Sequence, residues 1–180
     1  MTCILGLEID GKVYMGGDSA SAEGWNIRET GLKKVFVNGR YLIGYSTSFR
    51  MGQLLQYANL PTYPVDLSND RNDTLKFMVT EFVPAIRKAF TEAGYIKIDS
   101  NREEAGDFLV GLNGFLFHVS SDLQVNYFLD GYQAIGCGAV FSLGALSVLD
   151  RSVPISILKA LEVAGKFSNG VCPPYYVESI

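Results

Sequence analysis

The stretch that decides the fold is "MTCILGLEIDGKVYMGGDSA", residues 1–20. Two alternating runs, residues 2–9 (TCILGLEI) and 12–18 (KVYMGGD), flank Asp10-Gly11. Asp-Gly between such runs predicts a tight hairpin, because its two central residues need φ > 0. The first core strand therefore starts at residue 2, on a hydroxyl side chain. Thr2 is small enough for Met1 to be removed. Its hydroxyl would then sit beside its own α-amine, whose ordinary pKa of roughly 7.7–8.0 lets it accept a proton near neutral pH. A terminal threonine thus carries nucleophile and base in one residue.

Moving outward, residues 34–37 and 41–46 flank Asn38-Gly39 and predict a second hairpin. Residues 19–33, with Gly24, Asn26 and Gly31, read as a loop. Helical spacing runs from Ser48 to Leu60, and Pro61 and Pro64 end it. A longer helix is predicted from Asp73 to Ala93, kinked at Pro84. Residues 95–106 read as a polar loop. Residues 107–112 and 115–119 flank Asn113-Gly114, a third hairpin, and short strands are predicted at 124–128 and 133–137. Residues 139–150 and 154–168 read as helices, and 171–178 as a final strand. Hairpins separated by helix pairs, without βαβ alternation, predict an α+β fold of antiparallel sheets covered by helices.

The chain has 180 residues, 48% hydrophobic, with net charge −4. That length fits one domain, 1–180, with a substantial core. No basic stripe suits nucleic acid, and no apolar run is long enough to span a bilayer as a helix. The N-terminus has no signal-peptide pattern, so a cytoplasmic location is expected. Cys3, Cys137 and Cys172 form no CxxC pair, and His118 is the one histidine. A disulfide framework, a metal site or a cofactor is not implied. His118 lies in an apolar strand (FLFHV), where a packing role outweighs a Ser-His-Asp role. Phosphate-loop, HExxH and GxSxG motifs are absent.

Thr2 remains, and its neighbours strengthen the reading. Asp18 ends the first hairpin and Lys34 begins the next strand. A lysine near the nucleophile would stabilise its alkoxide, and a carboxylate would hold that lysine charged. Gly44 offers a backbone N–H for an oxyanion. Thr2, Gly16-Gly17-Asp18, Lys33-Lys34-Val35 and Gly44, at a spacing of 16 positions from Thr2 to Asp18 and 16 from Asp18 to Lys34, resemble the proteasome β-subunit family, with the bacterial HslV peptidase the nearest likeness. Gly136-Cys137-Gly138 is similar to the family's Gly-Ser-Gly.

The resemblance implies the N-terminal-nucleophile hydrolase fold, a four-layer αββα sandwich of two antiparallel sheets between helical layers. It implies that Thr2 attacks a peptide carbonyl, that Lys34 tunes it, that Asp18 orients Lys34, and that the Gly44 N–H holds the oxyanion. Lys33 is the rival of Lys34, and alternation lets only one face the site. It also implies a pocket near Leu32, Phe36 and Leu42 for a peptide or protein substrate. Removal of Met1 would suffice to expose Thr2. Homo-oligomeric, stacked rings are expected, with an ATP-dependent unfoldase as a possible partner.

Two positions depart from the family. Cys137 replaces a serine, and a thiol is the weaker hydrogen-bonding group. Lys166, in "AGKFSNGV", falls where the family has an aspartate, with Ser168 or Asn169 as partial substitutes. Both support an alternative, a catalytically impaired shell or interaction protein. A second alternative is an amidase of a small substrate. Cys3 is a less favoured nucleophile, because methionine removal stops at Thr2 and Cys3 alternates to the opposite face.

Overall fold

The computed structural model describes residues 1–23, 26–64, 68, 70–99 and 102–180. The Asp10-Gly11 turn takes φ of 47° and 73° and joins β1 (Ile4–Ile9) to β2 (Lys12–Gly17) in antiparallel register, Ile4 opposite Gly17. Next come β3 (Ala20–Glu23) and β4 (Asn26–Glu29), which pair with each other. This corrects the loop expected over 19–33, although Gly24 lies outside the described residues. All of β4 is exposed, so no buried face writes an alternating pattern into that sequence.

Strands β5 (Val35–Asn38) and β6 (Tyr41–Tyr45) form the second predicted hairpin. Helix α1 (Phe49–Tyr57) follows, its N-cap Ser48 accepting from the Arg50 N–H at 3.1 Å. Helix α2 (Arg71–Phe77) starts on Asp70, which accepts from the Asn72 and Asp73 N–H groups. A π-helical turn (Met78–Phe82) carries it into α3 (Val83–Glu92). The kink expected at Pro84 thus takes the form of a widened turn just before it, which suits a residue with no N–H to donate.

Strands β7 (Lys97–Asp99) and β8 (Arg102–Glu104) pair where a loop was expected over 95–106; Ser100 and Asn101 lie outside the described residues. Strands β9 (Phe108–Leu112) and β10 (Phe115–Val119) turn at Asn113-Gly114, with φ of 53° and 80°. Then come β11 (Val125–Asn126), β12 (Tyr132–Ile135), α4 (Ala139–Leu146), α5 (Ile155–Phe167) and β13 (Tyr176–Ser179).

One sheet has the order β12-β1-β2-β13, the other β11-β10-β9-β6-β5. Ile4, Val13, Met15, Val35, Leu42, Leu109, Leu116 and Ile135 join the two sheets in one buried cluster. Phe77, Phe82, Ile86 and Phe90 bind the helices of the first half to the β9–β6–β5 side. Ile157, Ala160, Leu161 and Ala164 of α5 pack on Cys3, Leu5 and Leu7 of the other sheet. Helices on sheet, sheet on sheet and sheet on helices is the α+β arrangement expected from the sequence. Among the described residues, no helix is long and apolar enough to cross a membrane.

Candidate active site

Thr2 lies two residues before the start of β1 and is 7% exposed. Its hydroxyl donates to the Met1 carbonyl oxygen at 2.5 Å, and the Lys34 Nζ reaches the same oxygen at 3.4 Å. The strand start, the residue before β5 and the end of the first hairpin therefore converge. Lys34 Nζ lies 3.1 Å from both Asp18 oxygens. Asp18 Oδ1 also accepts from the Cys3 N–H at 2.8 Å, and Oδ2 from the Ala20 N–H at 2.8 Å. Four hydrogen bonds fix the carboxylate, and the carboxylate fixes the lysine. Desolvation lowers the Lys34 pKa from its ordinary value, while the Asp18 charge and hydrogen bonds oppose that shift.

Lys33 turns the other way and pairs with Glu178 at 2.7 Å on the surface, so alternation gives the buried position to Lys34. Cys3 lies fully buried in the α5 cluster, with its Sγ 3.3 Å from Ser142 Oγ. Burial, partly opposed by that hydrogen bond, pushes the Cys3 thiol up to about 12.

Cys137 stands at the other side of Thr2. The Thr2 N–H donates to Cys137 Sγ at 3.3 Å, and Ser168 Oγ donates to the same sulfur at 3.4 Å. Gly136 holds this approach, with φ +89°; a Cβ there would meet the Thr2 carbonyl oxygen at 2.3 Å. Lys166 is exposed in the last turn of α5 and makes no ion pair among the described residues. Of the two substitutes considered for the missing carboxylate, Ser168 is the one bonded to this cluster.

Four expected residues are not brought to the site. Gly44 lies mid-strand in β6, and its missing side chain makes room for Met15 and Ile4 between the sheets. The Tyr45 N–H bonds Lys34 O at 3.1 Å, so the adjacent Gly44 N–H points to the opposite side, toward β9. Leu42 is fully buried between the sheets, and Phe36 is buried in the helix-facing cluster. Both are core residues, because strand alternation serves packing here. Leu32 is exposed and lies outside the cavity beside Thr2.

That cavity is about 30 Å³, lined by Met1, Thr2, Lys34 and the Tyr45–Phe49 segment. Within it Thr47 has φ +52°, unusual for a β-branched residue. The Thr47 Oγ1 accepts from the Asp107 N–H at 3.2 Å, and Ser46 donates to Asp107 O through both N and Oγ at 3.1 Å. His118 Nε2 lies 3.2 Å from Asp107 Oδ1, one link from this turn. The Thr47 N–H has no hydrogen-bond acceptor among the described residues. Sequence reasoning missed Thr47; the available signal was the Ser46-Thr47-Ser48 run ahead of a helix, with Ser48 its cap.

No group of His, Cys, Asp and Glu side chains among the described residues could hold a metal ion. No protein-family model matches the chain, and no curated protein matches it in sequence. Solved structures do match its fold. Thiobacillus denitrificans BPH, solved in complex with epoxomicin, superposes with a TM-score of 0.76 at 18% identity, covering 99% of this chain and 98% of that one. Eukaryotic HslV from Trypanosoma brucei gives 0.66 at 20% identity over 99% and 98% of the two chains. Anbu, an ancestral β-subunit from Yersinia bercovieri, gives 0.66 at 12% over 99% and 81%. At these identities the likeness is one of fold.

Proposed function

We propose that this chain, which has the proteasome-type N-terminal-nucleophile hydrolase fold of those structures, is a threonine peptidase acting through Thr2. The observation that carries the reading is the convergence of the Thr2 hydroxyl and the Lys34 ammonium on one carbonyl oxygen. That carbonyl belongs to the Met1–Thr2 bond. Its removal frees the α-amine to take the hydroxyl proton as Oγ1 attacks a substrate carbonyl. Lys34 stabilises the alkoxide, and Asp18 keeps Lys34 charged against its desolvation. The Thr47 N–H, in the role expected of Gly44, is the donor for the oxyanion. Cys137 and Ser168 orient the amine. The ester formed on Thr2 is then hydrolysed by water.

The chain acts as a homo-oligomer, in the ring arrangement its motifs imply. Val140, Val148 and Phe167 support this: they are 73%, 84% and 67% exposed on or beside α4 and α5, apolar surface that a subunit contact would cover. A cytoplasmic location and an unfoldase partner remain part of the proposal.

Hydrolysis of a mixed peptide pool by wild type, Thr2→Ala and Thr2→Ser tests the reading. Activity in wild type, its loss in T2A and its partial retention in T2S are expected; equal activity in T2A overturns it. One observation favours a second reading, an impaired shell protein. Lys166 supplies a cation where a carboxylate partner was expected, and it is exposed. Native mass spectrometry showing rings, with no hydrolysis of peptides or small amides, would select that reading.

A further inference from the structure

Between β11 and β12 the chain turns over Phe128–Gly131, and the tip of that turn is apolar. Leu129 is 93% exposed and Phe128 41%. The base of the turn is anchored. The Gly131 N–H donates to the Phe128 carbonyl at 3.1 Å, and the Gly131 carbonyl accepts from the Glu8 N–H at 2.8 Å. The Glu8 carboxylate accepts from Arg71 at 2.6 Å and from the Leu116 N–H at 2.7 Å. The Arg71 guanidinium in turn lies 4.9 Å from the Phe115 ring and 5.0 Å from that of Tyr127. Leu129 is therefore a fixed knob, already ordered before any contact forms.

Strands β11 and β12 are edges of the two sheets, and β5 is the opposite edge of the β11 sheet. Helix α1 packs against β5 and β6. Between α1 and α3 lies an open groove of about 660 Å³, whose lining includes Leu54, Tyr57, Ala89, Ala93, Arg50 and Glu92. Tyr57 is 81% exposed. A knob at one edge and an apolar groove at the other suit a head-to-tail contact between identical chains. Their charges match as well. Asp130 follows Leu129, and neither it nor the Arg50 guanidinium has an ion-pair partner among the described residues. Glu92 already has Lys88, 3.9 Å away. A second depression in this helical layer carries Asp73 and Glu81 against Lys76, an excess of acid that would repel Asp130.

We propose that Phe128 and Leu129 of one copy of this chain seat in the α1–α3 groove of the next, with Asp130 paired to Arg50, and that this repeated contact joins the subunits of a ring. It uses a different surface from the apolar face of α4 and α5. The contact rests on the homo-oligomeric reading above and not on the peptidase reading.

Native mass spectrometry and sedimentation of the full chain test it, with wild type, Leu129→Asp, Asp130→Arg, Arg50→Asp and the Asp130→Arg/Arg50→Asp double variant, each checked for folding by circular dichroism. Wild type is expected to assemble. L129D and each single charge variant should raise the protomer concentration at half-assembly by at least about tenfold, and the double variant should recover most of that loss. Unchanged assembly in L129D overturns the contact and leaves the homo-oligomeric reading standing. Loss in L129D without recovery in the double variant overturns this groove as the seat of the knob. A wild type that stays monomeric at every concentration overturns the homo-oligomeric reading and the contact with it.

Discussion

Removing either partner of the Asp18–Lys34 pair should cost stability, but unequally. The side chains are 0% and 2% exposed, so breaking the pair leaves one group buried without its partner. In Asp18→Asn, Lys34 loses its counter-charge and one of its two 3.1 Å oxygen contacts. Its contact outside Asp18, the Met1 carbonyl at 3.4 Å, disappears with Met1. The carboxamide also turns an NH₂ toward donors, since the Cys3 and Ala20 N–H groups and the lysine together occupy both oxygens. A buried ammonium stripped of its counter-ion costs about 3–5 kcal/mol. In Lys34→Met the carboxylate keeps its two backbone donors, one on each oxygen, and the cost falls to about 1–3 kcal/mol. Urea denaturation at fixed protomer concentration measures both. With m of about 2 kcal/mol per M, D18N should lower the midpoint by roughly 1.5–2.5 M at unchanged m. The double variant should be less destabilised than the sum of the singles. A D18N midpoint close to wild type, or a larger loss in K34M than in D18N, would refute the reasoning.

Stability should fall in alkali. Burial raises the folded-state pKa of Cys3 from 9.0 to about 12 and of Tyr45 from 10.0 to about 12, and raises that of Tyr41 as well. Raised values favour the protonated folded form, so this stabilisation is complete below pH 9 and is lost as pH climbs toward 12. Cys172 and Tyr175 are raised too and act the same way, whereas Lys34, shifted down from 10.5, works in the opposite direction. A urea midpoint that holds or rises from pH 9 to pH 12 would contradict this. Gly136→Ala should lower kcat/KM by about 100-fold, because its Cβ would press the Thr2 carbonyl from 2.3 Å at φ +89° and displace the nucleophile; unchanged kinetics would show that this approach does not position Thr2. Cys137→Ser should retain or raise activity, since a hydroxyl is the better hydrogen-bonding partner for the Thr2 nitrogen now 3.3 Å from sulfur. A large loss would mean that sulfur itself is needed.

The hairpins were readable because their turns are written in residue chemistry. Asp10, Gly11, Asn113 and Gly114 all take positive φ. The helices were readable from apolar spacing, with errors at their ends. The small hairpins β3–β4 and β7–β8 were not readable. β4 and β7 are exposed throughout, so no alternation marks them. At the site, Thr2, Asp18, Lys34 and Cys137 were legible as residue types at fixed spacing. Gly44 misled because a glycine in a strand suits either a ligand or a close sheet, and here Met15 and Ile4 fill its place. Thr47 was hidden for the complementary reason. Its φ of +52° is imposed by tertiary hydrogen bonds to Asp107, which its residue type does not advertise. Phe36 and Leu42 were assigned to a pocket from the family resemblance, whereas strand packing commits both side chains to the core.

The most direct test of the central claim is the intact mass of the protein after brief exposure to a peptide ester, quenched in acid. A chain lacking Met1 and carrying one acyl group that maps to Thr2 is the result expected. Full retention of Met1, or an acyl group on another residue that persists in Thr2→Ala, would contradict Thr2 as the nucleophile.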